Sequence, residues 1–286
     1  TAVYGVRGAN GVILITTKRG EEKRPVLSFS SNVAVNTFTD LRKNLGSYEY
    51  AKYFNEALKY DSFFTGSYTP KFSWEDIEHF RKGDDPIFHP DTDWYSMMLK
   101  PVSLQTMQNL NIRGGSERLK YFVSLGYFSQ EGLYRSFPSV TDYDVNVRYS
   151  RYNLRSNFDV KITKRLTAQI NLSSQIENRR APGQGGNTHY MMNRISIAPP
   201  YFTPGIVDGK IVNVHEVFSG NPLEQLLSQG YNIAVSNYIT TSFSLNYDLS
   251  FLTKGLSIKG LVSYWHKMDN QKIYRSSTQT YRPVPL

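Results

Sequence analysis

The feature that most constrains this chain is a period-two alternation of apolar and polar side chains that recurs along it. In an extended strand successive side chains point to opposite faces, so alternation of this kind marks a strand with one apolar and one polar face. Between 166 and 176 one face reads Leu166, Ala168, Ile170, Leu172, Ser174 and Ile176, and the other Thr167, Gln169, Asn171, Ser173 and Gln175. The stretch 154–162 sets Leu154, Ser156, Phe158, Val160 and Ile162 against Arg155, Asn157, Asp159 and Lys161. The stretch 239–251 sets Ile239, Thr241, Phe243, Leu245, Tyr247, Leu249 and Phe251 against Thr240, Ser242, Ser244, Asn246, Asp248 and Ser250. Looser alternation at 26–37, 105–113, 119–129 and 256–266 brings the expectation to seven strands. Several run eleven residues or more, whereas soluble strands average about five or six and strands that cross a bilayer obliquely need about nine to eleven.

Alternation alone does not separate a soluble sandwich from a membrane barrel, because either buries or shields one face. The links do. Gly114–Glu117, Thr163–Arg165 and Thr253–Gly255 read as tight turns, and they alternate with longer stretches at 38–103, 130–143 and 178–236. All short links therefore fall on one side of the sheet, as in outer-membrane barrels with short periplasmic turns and long extracellular loops. The expected class is all-β, a partial transmembrane antiparallel barrel. Seven strands do not close such a barrel, and Asn270–Leu286 reads as a polar loop with Pro283 and Pro285, so further strands are expected outside this chain.

Composition agrees. Aromatics are 14% of the 286 residues, with 21 Tyr and 16 Phe, too apolar a mix for a disordered chain. Mean hydropathy is −0.45, and no apolar run approaches the roughly 18 residues of a membrane helix. The absence of Cys removes disulfides and thiolate chemistry. The formal charge of +9 raises nucleic-acid binding, but Lys18, Arg19, Lys23 and Arg24, and Lys161, Lys164 and Arg165, read as solvated turns rather than one patch, so no nucleic-acid partner is expected. Thr1 opens directly onto a Gly-rich motif with no basic or apolar leader, so the chain is expected to begin within a longer protein.

The first long link carries helical signals. Tyr50, Ala51, Phe54, Ala57 and Leu58 share a face after Ser47, read as a cap. Ser73 with Asp76 forms a capping-box start, Ile77 and Phe80 face inward, and Gly83 ends the helix. The third long link is rich in Gly, Asn and Pro and holds Tyr190, Met191, Met192, Tyr201 and Phe202, aromatics suited to stacking on sugars or peptides or to packing the loop itself.

An enzyme needs a constellation, and none emerges. The five histidines, 79, 89, 189, 215 and 266, lack metal-ligand spacing, and no nucleophile motif accompanies them. Asp84–Asp85 and Asp91 with Asp93 are paired acids of the kind that serve glycoside hydrolysis or Ca²⁺, but a Pro-rich loop after a helix supplies such acids by default. No catalysis, metal or cofactor is expected.

The opening Tyr4-Gly5-Val6-Arg7-Gly8-Ala9-Asn10-Gly11-Val12-Ile13-Leu14-Ile15-Thr16-Thr17-Lys18-Arg19-Gly20 closely resembles the end of the plug domain in SusC/RagA-type TonB-dependent outer-membrane transporters. Thr92-Asp93-Trp94, Asn109–Gly115 with Tyr121–Gly132, and Asn221-Pro222-Leu223 resemble the early barrel of the same family. The resemblance implies the end of a plug at 1–22 and the first part of a barrel of about 22 strands at 23–286. It implies a Bacteroidota-like outer membrane, TonB coupling through a segment outside this chain, a SusD-like surface lipoprotein over the long loops, and import of glycans or peptides. Tyr4, Gly5, Arg7, Gly8, Asn10 and Gly11 would then be the structural or gating plug motif, and Trp94, Tyr95, Tyr190, Tyr201 and Phe202 contacts to substrate or lipoprotein. A surface glycan-binding or adhesion β-sandwich without transport is the rival expectation, and it requires a self-contained pair of sheets.

Overall fold

The computed structural model describes residues 18–183, 188–214 and 220–284. Residues 4–17 of the plug-like run and His215 lie outside them.

Seven long strands form one antiparallel sheet in sequence order: β1 (Val26–Asn36), β2 (Ser103–Gly115), β3 (Leu119–Glu131), β4 (Arg148–Lys161), β5 (Leu166–Pro182), β8 (Tyr231–Asp248) and β9 (Ser257–Tyr274). The two-residue strands β6 (Ile206–Val207) and β7 (Lys210–Ile211) make a small separate hairpin. Among the described residues five helices sit in the long links: α1 (Ser47–Thr65), α2 (Trp74–Lys82), α3 (Trp94–Met98), α4 (Thr188–Ile197) and α5 (Pro222–Leu227). Among the described residues there is a single large sheet rather than two packed ones, which removes the self-contained sandwich. No described helix is long and apolar enough to cross a membrane.

The register aligns the alternation from strand to strand. Phe158 pairs with Ile170 and Ile170 with Phe243, while Leu110 pairs with Leu125 and Leu125 with Leu154. The apolar faces thus merge into a continuous outer face, on which Ile170, Phe243 and Leu125 remain 39%, 42% and 48% exposed. The opposite face carries Asn109, Asn153, Asn157, Asn171, Ser242 and Ser244, bridged by bonds such as Asn171 Nδ2 to Ser242 Oγ at 3.0 Å. A sheet that exposes apolar and shelters polar side chains inverts the soluble arrangement, which is the condition set by lipid outside and a wet lumen inside. Along β5 the outer face stays free of charge from Leu166 to Ile176 and reaches charge at Arg180. Ten steps of about 3.3 Å, tilted by about 40°, span roughly 25 Å of height, the thickness of a barrel's apolar band.

The strands are longer than their alternation suggests. β4 begins at Arg148 and β8 at Tyr231, and β9 runs to Tyr274, so the third long link shrinks to 183–230 and the terminal polar stretch begins at 275, not 270. In β4 and β9 backbone pairing continues past the apolar band, where polar side chains on both faces erase the period, while β8 is extended by Tyr231, Ile233 and Val235 on its outer face. At the other end β8 stops at Asp248 rather than 251. The Asp248 carboxylate accepts the Ser250 N–H at 2.8 Å, turning the chain, and Gly255 takes the left-handed φ of 85° that closes the turn.

Tryptophan placed on the two faces reads this orientation directly. In the full-length protein reconstituted with brominated lipids, Phe243→Trp should add fluorescence that the bromines quench, and the adjacent Ser242→Trp should add fluorescence that they leave intact. Equal quenching of both would reject the lipid-facing assignment.

Candidate functional site

Two regions gather the polar chemistry: the inner face near the short turns, and the assembly of long links at the other end.

At the first, residues 18–25 run across the polar face of β2–β4 before β1 begins. Arg19 Nη1 meets Asp159 Oδ1 at 2.6 Å, and Asn157 Nδ2 donates to the Lys18 carbonyl at 2.7 Å. The same Asp159 oxygen accepts from Gln169 Nε2 at 2.8 Å, and Gln169 Oε1 in turn accepts from Ser244 Oγ at 3.2 Å. The strap is therefore wired into β4, β5 and β8. Glu21 pairs with Lys23 at 2.9 Å and with Arg113 at 3.2 Å, and its carboxyl lies below the usual range because of Lys23 first and Arg113 second. Gly115 N–H donates to the Lys23 carbonyl at 3.0 Å. Gly20 makes the approach close enough, since a Cβ there would lie 2.1 Å from the Tyr121 amide nitrogen. Arg19, read from the sequence as a solvated turn cation, is thus partnered by Asp159 on the inner face, while Lys23 stays solvated beside Glu21.

Gly20→Val should accordingly lift the strap. In the folded, detergent-solubilised full-length protein, trypsin cleavage at Lys18–Arg24 should rise several-fold, with no change at Lys254 in the β8–β9 turn; unchanged protection would show that the close approach does not hold the strap.

At the other end the three long links pack into one cap. Its core joins Trp94, Met98, Leu99, Tyr134, Val145, Met191, Ile195, Phe202, Ile211, Leu223, Leu226 and Leu227. A smaller cluster around Ala51, Phe72 and Phe80 holds α1 on α2, and Tyr201 packs against both clusters. The Thr92-Asp93-Trp94 motif clasps the third link. The Thr92 amide and hydroxyl donate to the Pro200 and Phe202 carbonyls, and Trp94 Nε1 donates to the Pro199 carbonyl, each at 2.9 Å. Asn221 caps α5 by accepting the Leu223 N–H at 2.9 Å while its Nδ2 donates to the Val212 carbonyl at 2.8 Å.

The aromatic residues singled out in the sequence divide. Trp94 and Phe202 are each 2% exposed and belong to the core of the cap, with no surface to offer a ligand. Tyr95 lines the grooves beside Leu41 and Pro101. Tyr190 accepts from Arg194 Nε at 3.1 Å, and Tyr201 accepts from Lys71 Nζ at 2.6 Å; both are partly exposed. Burial pushes the phenol of Tyr134, unmarked in the sequence, up to about 12. Exposed aromatics gather instead between the last turns of α1 and the first residue of α2, where Tyr60, Phe63, Phe64, Tyr68 and Trp74 face solvent.

Of the paired acids, Asp91 and Asp93 bond helix-start amides, while Asp84 bonds the His79 ring at 2.7 Å and Asp85 the Phe88 amide at 3.0 Å. α1 is capped by Gly46 rather than Ser47: Ser47 turns its hydroxyl to the Pro90 carbonyl at 2.7 Å, and Asp91 reaches across to accept the Ser47 N–H at 2.8 Å. Asp93 caps α3 by accepting the Ser96 N–H at 3.1 Å. α2 forms the expected capping box of Ser73 and Asp76 and ends at Gly83, with φ 64°. Among the described residues no group of three or more His, Asp or Glu side chains is placed to hold a metal.

His89 ties this region together. Its Nε2 lies 3.0 Å from Asp76 Oδ1 and its Nδ1 2.9 Å from Asp85 Oδ2, and its ring stacks on His79 at 4.6 Å. A neutral imidazole donates from one nitrogen only, so two carboxylate partners call for the doubly protonated ring. Partial burial opposes the charge, but the bonds to Asp85 and Asp76 outweigh it and raise the His89 pKa. Asp85 is lowered, first by the Phe88 N–H. Asp76 is lowered because its bonds to Ser73 and His89 overcome the opposing effect of burial.

A raised histidine contributes stability that is complete below its unfolded pKa and fades as pH rises through the folded value; the lowered carboxylates contribute above about 4. Amide exchange across 84–90 should therefore be slowest near pH 5 to 6, after correction for the intrinsic rate, and protection should fall by pH 8. His89→Gln should flatten that dependence, and a wild-type protection factor that does not change between pH 5.5 and 8 would exclude the latch.

An open sheet with an exposed apolar face, a polar face crossed by its own N-terminal segment, and every short link at one end defines part of a membrane β-barrel. In sequence the chain is 30% identical over 168 residues to a TonB-dependent receptor of Formosa agariphila, covering 58% of this chain and 14% of that protein. A second receptor from that organism is 32% identical over 175 residues, covering 60% of this chain and 14% of its own. The TonB-dependent receptor SusC of Bacteroides thetaiotaomicron is 29% identical over 137 residues, 48% of this chain and 12% of that protein. No family model matches the chain. In fold it superimposes on the RagAB peptide transporter with a TM-score of 0.67 at 20% identity, over 94% of this chain and 31% of that one. The chain is thus similar in sequence to TonB-dependent receptors of the SusC type and in fold to part of the RagAB transporter, and it spans under a third of the length of the relatives it matches.

Proposed function

We propose that this chain forms part of a TonB-dependent importer that moves glycans or peptides into the periplasm together with a SusD-like lipoprotein. In this reading residues 1–22 are the end of the plug and 23–286 the beginning of the barrel. The observation that carries it is the strap, because Lys18–Arg24 is bonded to the polar face of the same strands whose other face is apolar. A chain entering β1 from inside the lumen is what a plug joined to a barrel requires. The plug-like glycines, Arg7 and Asn10 precede that strap directly, and so would sit in the pore as the part that TonB moves.

The cap of long links supports the lipoprotein, since it presents Tyr60, Phe63, Phe64 and Trp74 on the loop side. Clusters of exposed aromatics of this kind mark contact surfaces. Of the aromatic contacts expected, Tyr95, Tyr190 and Tyr201 are the ones with surface to give to lipoprotein or substrate.

The test uses the full-length protein in its own cells. Solubilised outer membranes should yield it with a lipoprotein of the SusD type, and uptake of a labelled oligosaccharide or peptide pool should stop on deletion of either protein or of TonB. Uptake that survives loss of TonB would end the importer reading, and the pool taken up would separate glycan from peptide.

A further inference from the structure

On the outer face, where the strands leave the apolar band on the long-link side, the register sets two arginines directly opposite each other. Arg148 of β4 pairs with Arg180 of β5. Like charges in cross-strand positions are destabilising unless an anion lies between them. Glu131, next in the row, takes only Arg148, at 3.4 Å. Arg180 has its guanidinium 4.4 Å from the centre of the Tyr231 ring, and its Nε is shielded from solvent with no hydrogen-bond partner. Lys272 of β9 stands in the same row beyond Ile233, so the row carries three cations and one carboxylate.

Below this row the outer face changes in order. One step into the membrane come Ser129, Ser150 and Asn178, all able to donate hydrogen bonds. The next row holds Tyr127 and Tyr152, with ring centres 5.0 Å apart, and Ile176. These line a shallow, largely apolar groove of about 450 Å³ with Leu110, Leu125 and Leu154. From Arg148 to Tyr152 is four residues, about 13 Å along the strand. Cations, then neutral donors, then aromatics over an apolar groove match, level by level, an amphiphile with an anionic head and acyl chains. The site lies in the middle of the sheet, so its neighbours on both sides belong to the described strands.

We propose that Arg148 and Arg180 bind a phosphate of a lipid A molecule in the outer leaflet, with one acyl chain lying in the groove between Tyr127, Tyr152 and Leu154. The two guanidiniums would hold the phosphate between them, relieving their mutual repulsion and satisfying Arg180 Nε with a charge-assisted bond. The polar row of Ser129, Ser150 and Asn178 would meet the sugar and ester oxygens. The proposal rests on the barrel reading and its orientation, with the long links outside.

The experiment is native mass spectrometry of the purified full-length protein in detergent, titrated with diphosphoryl lipid A. The wild type should retain one lipid A through collisional activation, while Arg148→Gln/Arg180→Gln should lower retention at least tenfold and Lys254→Ala, in the β8–β9 turn, should leave it unchanged. Resistance of the unboiled band to SDS confirms that each variant is folded, and Arg180→Gln alone replaces the double variant if that one does not assemble. Retention unaffected by the arginine changes, equal loss with Lys254→Ala, or equal retention of phosphatidylglycerol would each overturn the proposal. Failure of the barrel reading is distinguishable, because it would also abolish the difference between tryptophans at 243 and 242 in brominated lipid.

Discussion

The constraint on which the rest depends is that backbone N–H and C=O groups in hydrocarbon have no water to bond, so each must find another strand. Between β1 and β9 the ladder meets that demand by pairing strands of up to eighteen residues side by side, leaving the outer edges of β1 and β9 to further strands. Everything else about the sheet follows from the ladder's period. Once β5 is paired to β4 and β8 in one register, a slip of a single residue would turn Ile170 and Leu172 inward and Gln169 and Asn171 out to lipid. Lipid on one side and water on the other thus set the register as firmly as a core does in a soluble protein.

The inner face shows what polar residues achieve when they are sheltered. Asp159 would be costly there alone, and instead it accepts from Arg19 and Gln169, while Gln169 passes the connection to Ser244. The strap is held by such bonds rather than by apolar contact. Charge-assisted hydrogen bonds of this kind are directional and exchangeable.

The cap at the other end is built in the opposite way. Its core of Trp94, Met98, Met191, Ile195, Phe202 and Leu223 is drawn from links far apart in sequence, and the polar groups around it mostly finish helices and turns. Asp91, Asp93 and Asn221 each bond the first amides of a helix, and Asp85 bonds the Phe88 amide. Of the acids that resemble a catalytic or calcium-binding set in a linear reading, Asp85, Asp91 and Asp93 are thereby committed to backbone amides and Asp84 to His79. His89 adds a pH-sensitive tie among them.

The sequence by itself determined the seven strands, their two faces, the alternation of short and long links, and the capping box of α2, because periodicity and local hydrogen bonding are properties of neighbouring residues. It also carried unread signals: Asn221 followed by Pro222 is a capped helix start, and it became α5. Only the tertiary structure decided the outer ends of β4 and β9, where pairing outlasts the apolar pattern, and the fate of Trp94 and Phe202, whose burial depends on links more than 100 residues apart. It likewise decided that Asp91 rather than Ser47 completes α1, and that Arg148 stands opposite Arg180. Such outcomes depend on which strand lies beside which and in what register, and that is a property of the paired sheet rather than of any one segment.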